Sequence, residues 1–155
     1  MGYVEQRIKE IGIELPRKNL KGKGTVPVKR HENLLYTTGV GPFDLEGNAI
    51  WTGKVGLDLS IEEGYQAARQ CGIVVLSNLK DYLGDLDRIE SIVKVLGLVA
   101  SAHDFYEQPK VLHGFSDLMV EVLGDRGIHA RSAMGTYVLP ENIPVEVEMI
   151  VRIRD

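Results

Sequence analysis

Apolar residues recur along this chain with two different periods, and the switches between them predict its elements. Val4, Ile8 and Ile11 share one helical face within 3–11, which predicts a short amphipathic helix. Residues 16–24 form a polar, glycine-rich connector. A strand pair is predicted at about 25–30 and 33–39, with turn signals at Gly41-Pro42 and Glu46-Gly47-Asn48. Ser60 followed by Glu63 is a capping box. Behind it Ile61, Tyr65, Ala68, Gly72, Val75, Leu79 and Leu83 keep helical spacing, which predicts a long helix over 60–83 closed by Gly84. Residues 89–101 are rich in β-formers. Pro109 suits the first turn of a second helix, whose stripe is Val111, Leu112, Phe115, Leu118, Met119 and Val122, with Gly124 as its stop. The end of the chain is two β runs, 129–138 and 145–153, joined by 139–144. In the last run Val145, Val147, Met149, Val151 and Ile153 alternate with Glu146, Glu148, Ile150 and Arg152, a period of two with one apolar face.

This order predicts an α+β fold: a mixed sheet containing a βαβ unit, both helices on one face, and a short N-terminal helix. The expected division is 1–24 for the N-terminal helix and connector and 25–155 for the domain. The second sheet face, carrying Glu146, Glu148 and Ile150, suits burial against partner subunits. With 155 residues, 44% hydrophobic and 26% charged, the chain can fill one core. The longest apolar runs, 73–76 and 95–100, are far short of a bilayer span. The start of the sequence lacks the apolar stretch of a secretory signal, and a single cysteine, Cys71, excludes an internal disulfide. Both observations point to a cytoplasmic protein.

Candidate chemistry is sparse. Cys71 lies beside the buried stripe of the long helix and reads as a small core residue. His31, His103, His113 and His129 have no zinc-ligand spacing, so no metal is expected. Gly39-Val40-Gly41 and Gly22-Lys23-Gly24 lack the third glycine and the helix of a dinucleotide loop. Arg17, Lys18, Lys21, Lys23, Lys29 and Arg30 form a locally cationic stretch. It is either a solvated surface or a patch for an acidic partner. The net charge of −4 and the lack of interleaved aromatics argue against nucleic acid as the partner. Arg131 is the distinctive residue. Strand alternation puts it on one face with Ala133, Gly135 and Tyr137, and small residues beside a guanidinium leave room for a ligand. Arginine grips a planar carboxylate with two parallel hydrogen bonds. Glu146 and Glu148 are expected on the neighbouring strand, so a plain cross-strand Arg–Glu pair is the competing reading.

The motif Ala130-Arg131-Ser132 with Gly135, followed by Leu139-Pro140 and Val145-Glu146-Val147-Glu148, resembles the YjgF-like, or Rid, family of reactive intermediate deaminases. Tyr36-Thr37-Thr38-Gly39 and Lys54-Val55-Gly56 resemble further family segments, and the likeness covers about 33–155. It implies a chorismate-mutase-like fold and a homotrimer with clefts between subunits. The implied activity is hydrolysis of 2-imino and 2-enamino acids to 2-keto acids and ammonia, without a cofactor. By position, the resemblance makes Arg131 the binder of the substrate carboxylate and Glu146 the residue that positions the attacking water. Thr38, Gly39, His113 and Ala133 would line the ligand site. His113 stands at the family's asparagine. Gly24-Thr25-Val26-Pro27 stands where many members carry Gly-Pro-Tyr, whose tyrosine packs over the substrate. A non-catalytic keto-acid-binding protein is the alternative, and an RNA-cleaving protein a third reading.

Overall fold

The computed structural model describes residues 2–16 and 24–155. The basic residues Arg17, Lys18, Lys21 and Lys23, and with them most of the 16–24 connector, lie outside the described residues. The helices are α1 (Tyr3–Glu10), α2 (Ile61–Leu83) and α3 (Gln108–Leu123). The strands are β1 (Val28–His31), β2 (Leu34–Thr37), β3 (Ile89–Ala100), β4 (Ala130–Thr136) and β5 (Val145–Ile153). Short 3₁₀ turns follow α2 at Leu86–Arg88 and α3 at Gly124–Gly127.

Local chemistry sets the ends of these elements. Ser60 and Glu63 make the reciprocal capping box at the start of α2, and Gly84 closes it in the left-handed conformation at φ 75°. Pro109 sits in the first turn of α3, as expected. The first strand begins later than expected, at Val28, because Pro27 has no N–H to donate to a ladder. The Pro27 carbonyl instead accepts from Thr38 N at 2.9 Å. The second strand also ends early, at Thr37, so Thr38 and Gly39 leave the ladder.

The five strands lie in the order β1-β2-β5-β3-β4. Only β3 and β4 run parallel, joined by the α3 crossover; the other neighbouring pairs are antiparallel. This corrects the expected adjacency of Arg131 and Glu146. Strand β3 lies between β4 and β5, pairing with β4 along one edge through the α3 crossover and with β5 along the other.

Both long helices cover one sheet face. Val145, Val147, Met149 and Val151 of β5 and Val95 and Val99 of β3 are buried there against Leu76, Leu79, Leu112 and Phe115. The helix α1 joins the same core through Val4 and Ile8. Its first turn is anchored by Asp87, which accepts from Val4 N, and by Glu5, which is paired with Lys80 and accepts from Leu86 N. Burial alone would raise the Glu5 carboxyl, but Lys80 and the Leu86 amide hold it below its usual value. Cys71 is fully buried, with its thiol pushed well up chiefly by that burial, as a core residue requires. No described helix is long and apolar enough to cross a membrane.

Among the described residues, the opposite sheet face carries no helix. Leu96, Leu98 and Ile150 lie on it half-buried, with Tyr36 and Met134 exposed. Among the described residues strand β4 is a sheet edge, paired only with β3. A partly apolar face beside an unpaired edge is a surface that pairs readily with another chain.

Candidate functional site

Two recesses hold the residues singled out from the sequence. The first is on the helix-free face. On β5, Glu146 lies opposite Leu98 and Glu148 opposite Leu96 of β3. Thr38 and Gly39, just past the end of β2, close the side of the cleft, which encloses about 470 Å³ open to solvent. Gly39 lies against the glutamate: a Cβ there would sit 3.0 Å from Glu146 Cδ and would push that side chain aside. The Glu146 carboxyl is raised above its usual value, first by burial and then by the charge of Glu148. A carboxylate reluctant to ionise, in a half-open cleft, is suited to accept a proton or to orient a water.

The second recess is at the β4 edge. Arg131 lies opposite Val95, and Ala133 opposite Gly97, on the helix-bearing face. The Arg131 guanidinium therefore turns toward α3. Its Nη1 donates to Ser116 Oγ at 3.1 Å and to His113 Nδ1 at 3.3 Å; its Nη2 donates to the Pro109 carbonyl at 3.4 Å. Ile128, His129 and Val120 complete the recess. Among the described residues no carboxylate lies within 4.0 Å of Arg131, so the cross-strand Arg–Glu pair does not form. Burial pulls the guanidinium below its usual value, and Asp117 opposes this from α3. Its hydrogen-bond partners among the described residues are all neutral, so no direct ion pair occupies the guanidinium.

The structure thus brings Thr38, Gly39 and Glu146 together, and separately His113 and Arg131, with Ala133 two residues along the same strand face. Because side chains alternate across a strand, the sheet itself separates Arg131 from Glu146 within one chain. Two residues of this recess were given no site role by the sequence reading, Ser116 and His129. Ser116 is 15 positions from Arg131, and the α3 crossover alone brings it there. The one weak signal was His129, on the same strand run as Arg131.

The trio Glu5, Asp85 and Asp87 brings one oxygen each within 4.8 Å of the others. Lys80 and Arg126 pair with Glu5 and Asp87, and the group serves to hold α1.

Comparison with known proteins agrees with this architecture. Residues 5–152 match the family described as "YjgF/chorismate mutase-like, putative endoribonuclease". Protein TCP17 of Trypanosoma cruzi is 36% identical over 99% of this chain and 96% of its own length. The crystal structure of Atu1372 from Agrobacterium tumefaciens superposes with a TM-score of 0.89 at 39% identity, covering 97% of this chain and 92% of that one. That of a "putative endoribonuclease" from Shewanella oneidensis MR-1 superposes at 0.91 with 31% identity, covering 98% and 100%.

Proposed function

This chain belongs to the YjgF/chorismate mutase-like family, and from that premise we propose that it hydrolyses 2-imino and 2-enamino acids to 2-keto acids and ammonia. The observation that carries the reading is Arg131, a guanidinium at a sheet edge with an open recess and no carboxylate partner among the described residues. The site is completed between copies in a homotrimer, with Arg131 from one subunit and Glu146 from another. The separation of the two side chains by the sheet supports this, as do the unpaired β4 edge and the partly apolar free face.

The chemistry asks little of the protein. An imine carbon is already electrophilic, so holding the substrate carboxylate on Arg131 fixes its orientation. Glu146 accepts a hydrogen bond from a water and draws off its proton as the water adds to the C=N carbon. The resulting carbinolamine takes a proton on nitrogen, and as the C–N bond breaks to expel ammonia its hydroxyl gives up a proton to form the C=O of the 2-keto acid; an enamine first takes a proton on carbon and becomes the iminium, the protonated imine. His113 suits the donor role. Its Nδ1 accepts from Arg131, so a neutral ring carries its proton on Nε2.

The test is the disappearance of 2-aminoacrylate or 2-iminobutanoate generated in situ, with and without the protein. No rate above buffer would end the enzymatic reading. Mixing subunits tests the shared site. Arg131→Ala and Glu146→Gln are each expected to be inactive. After co-refolding, random assembly restores about one quarter of the sites if the two residues come from different subunits. Recovery of nothing places them in one subunit.

The acid limb of the pH profile provides a further check. The water-orienting Glu146 must be ionised, so kcat falls as pH drops through its raised pKa. Glu148→Gln removes one of the two causes of that raised value and should move the limb to lower pH. An unmoved limb excludes Glu146 as the titrating group. The sign for stability is opposite: a carboxyl raised by folding stabilises below its unfolded pKa and loses that contribution as pH climbs through the folded value. Glu146→Gln should therefore lose turnover without melting earlier at neutral pH.

A second reading, keto-acid binding without turnover, is favoured by His113 at the family's asparagine and by the absence of Gly-Pro-Tyr before β1. It predicts a ligand-dependent rise in melting temperature with no imine hydrolysis.

A further inference from the structure

The hydrogen bonds behind Arg131 admit one arrangement of protons while His129 is neutral. The Gly127 carbonyl only accepts, so His129 Nδ1, 2.6 Å from it, must carry the proton. A neutral imidazole then has Nε2 as an acceptor, and Ser116, whose Oγ is 2.9 Å away, must donate to it. With its proton committed in that direction, Ser116 Oγ has only lone pairs left for Arg131 Nη1, at 3.1 Å. The chain runs from Arg131 to Ser116, to His129, to a backbone carbonyl, and every donor meets an acceptor. The imidazole is fixed in space as well. Its ring stands edge-to-face with Phe115, centroids 6.3 Å apart at 77°, and Phe115 is fully buried in the core. Burial, with the nearby Arg131 charge, also holds His129 below its usual pKa, against the pull of the Gly127 carbonyl, and this favours the neutral ring that the chain requires.

We propose that Ser116 and His129 are positioning residues that hold the Arg131 guanidinium in the orientation that receives the substrate carboxylate. This rests on Arg131 being the carboxylate binder. A long, flexible cation on an edge strand would otherwise sample several rotamers, and each must be frozen on binding. Here one Nη1 is tethered through two side chains to a rigid helix and a backbone carbonyl. Nη1 spends both hydrogens on Ser116 and His113 and Nη2 one on the Pro109 carbonyl, so Nε–H and the second Nη2–H are the donors left for a carboxylate.

Two readouts test it. In ¹⁵N spectra of the ligand-free wild type, His129 should show a protonated Nδ1 and a hydrogen-bonded Nε2; Ser116→Ala should shift Nε2 to the unbonded position. A wild-type His129 protonated on Nε2 instead overturns the proposal. In titrations with 2-oxobutanoate, Ser116→Ala and His129→Leu should raise Kd about tenfold, the scale of one hydrogen bond to a charged group. Turnover should show a higher KM with kcat much less affected. His129→Gln, whose amide can still accept from Ser116, should recover most of the affinity, which a packing role alone would not produce. A wild type that binds the keto acid while all three variants match it overturns the positioning role and leaves the proposed function standing. A wild type that binds no keto acid overturns the carboxylate reading of Arg131 itself.

Discussion

Replacing Arg131 with alanine is expected to weaken the binding of a small 2-keto acid by about 100- to 1000-fold. The estimate follows from two charge-assisted hydrogen bonds at roughly 1.5–2 kcal/mol each, with each ~1.4 kcal/mol worth a factor of ten. Arg131→Lys keeps the charge but loses the planar fork, and about a tenfold loss is expected. Neither change should cost much stability. The Arg131 side chain sits at a sheet edge and, among the described residues, bonds to Ser116, His113 and the Pro109 carbonyl. Each of these can turn to water when the guanidinium is gone. Calorimetric titration with 2-oxobutanoate beside a thermal melt separates the two effects. Alanine binding within threefold of wild type would show that the carboxylate lands elsewhere.

The opposite profile is expected at Gly114. This residue lies on α3 where α3 crosses α2, and a Cβ there would be 1.9 Å from the Tyr65 carbonyl oxygen and 3.2 Å from Arg69 N. Both obstacles are backbone, so no rotamer change relieves the clash and the helices must separate. Separation disturbs the contact among Ala68, Cys71, Phe115 and Leu118, all fully buried. Interiors this dense do not absorb such a shift, and Gly114→Ala is expected to destabilise by about 3 kcal/mol or more. In a domain of this size that lowers the melting temperature by about 10 °C. Val120→Ala, on an exposed position of the same helix, should move it far less. A Gly114→Ala melt within a degree or two of wild type would mean that this glycine does not set the helix spacing. The pair of experiments also divides the labour along α3: one face sets the fold, the other supports the guanidinium.

Periodicity and end signals were enough to read the elements. The capping box at Ser60 and Glu63, the stop at Gly84 and the strict alternation of 145–153 were visible because each is a local property of consecutive residues. The same alternation put Glu146 opposite the buried valines, and Arg131 on one face with Ala133 and Gly135. Cys71 read as core for the same reason. What the sequence could not show is which strands lie side by side. Arg131 and Glu146 are 15 residues apart on consecutive strands, yet β3 separates those strands and the sheet separates the side chains. Sheet order is a contest among long-range pairings, and no local signal records its result. The Ser116–His129 chain was hidden for the same reason: it exists only because the α3 crossover sets a helix over the β4 edge. The sequence determined by itself which residues form each element and which side of it each side chain occupies, through steric and hydrogen-bond preferences acting over a few residues. Only the tertiary structure decided who meets whom, because those contacts depend on how whole elements pack.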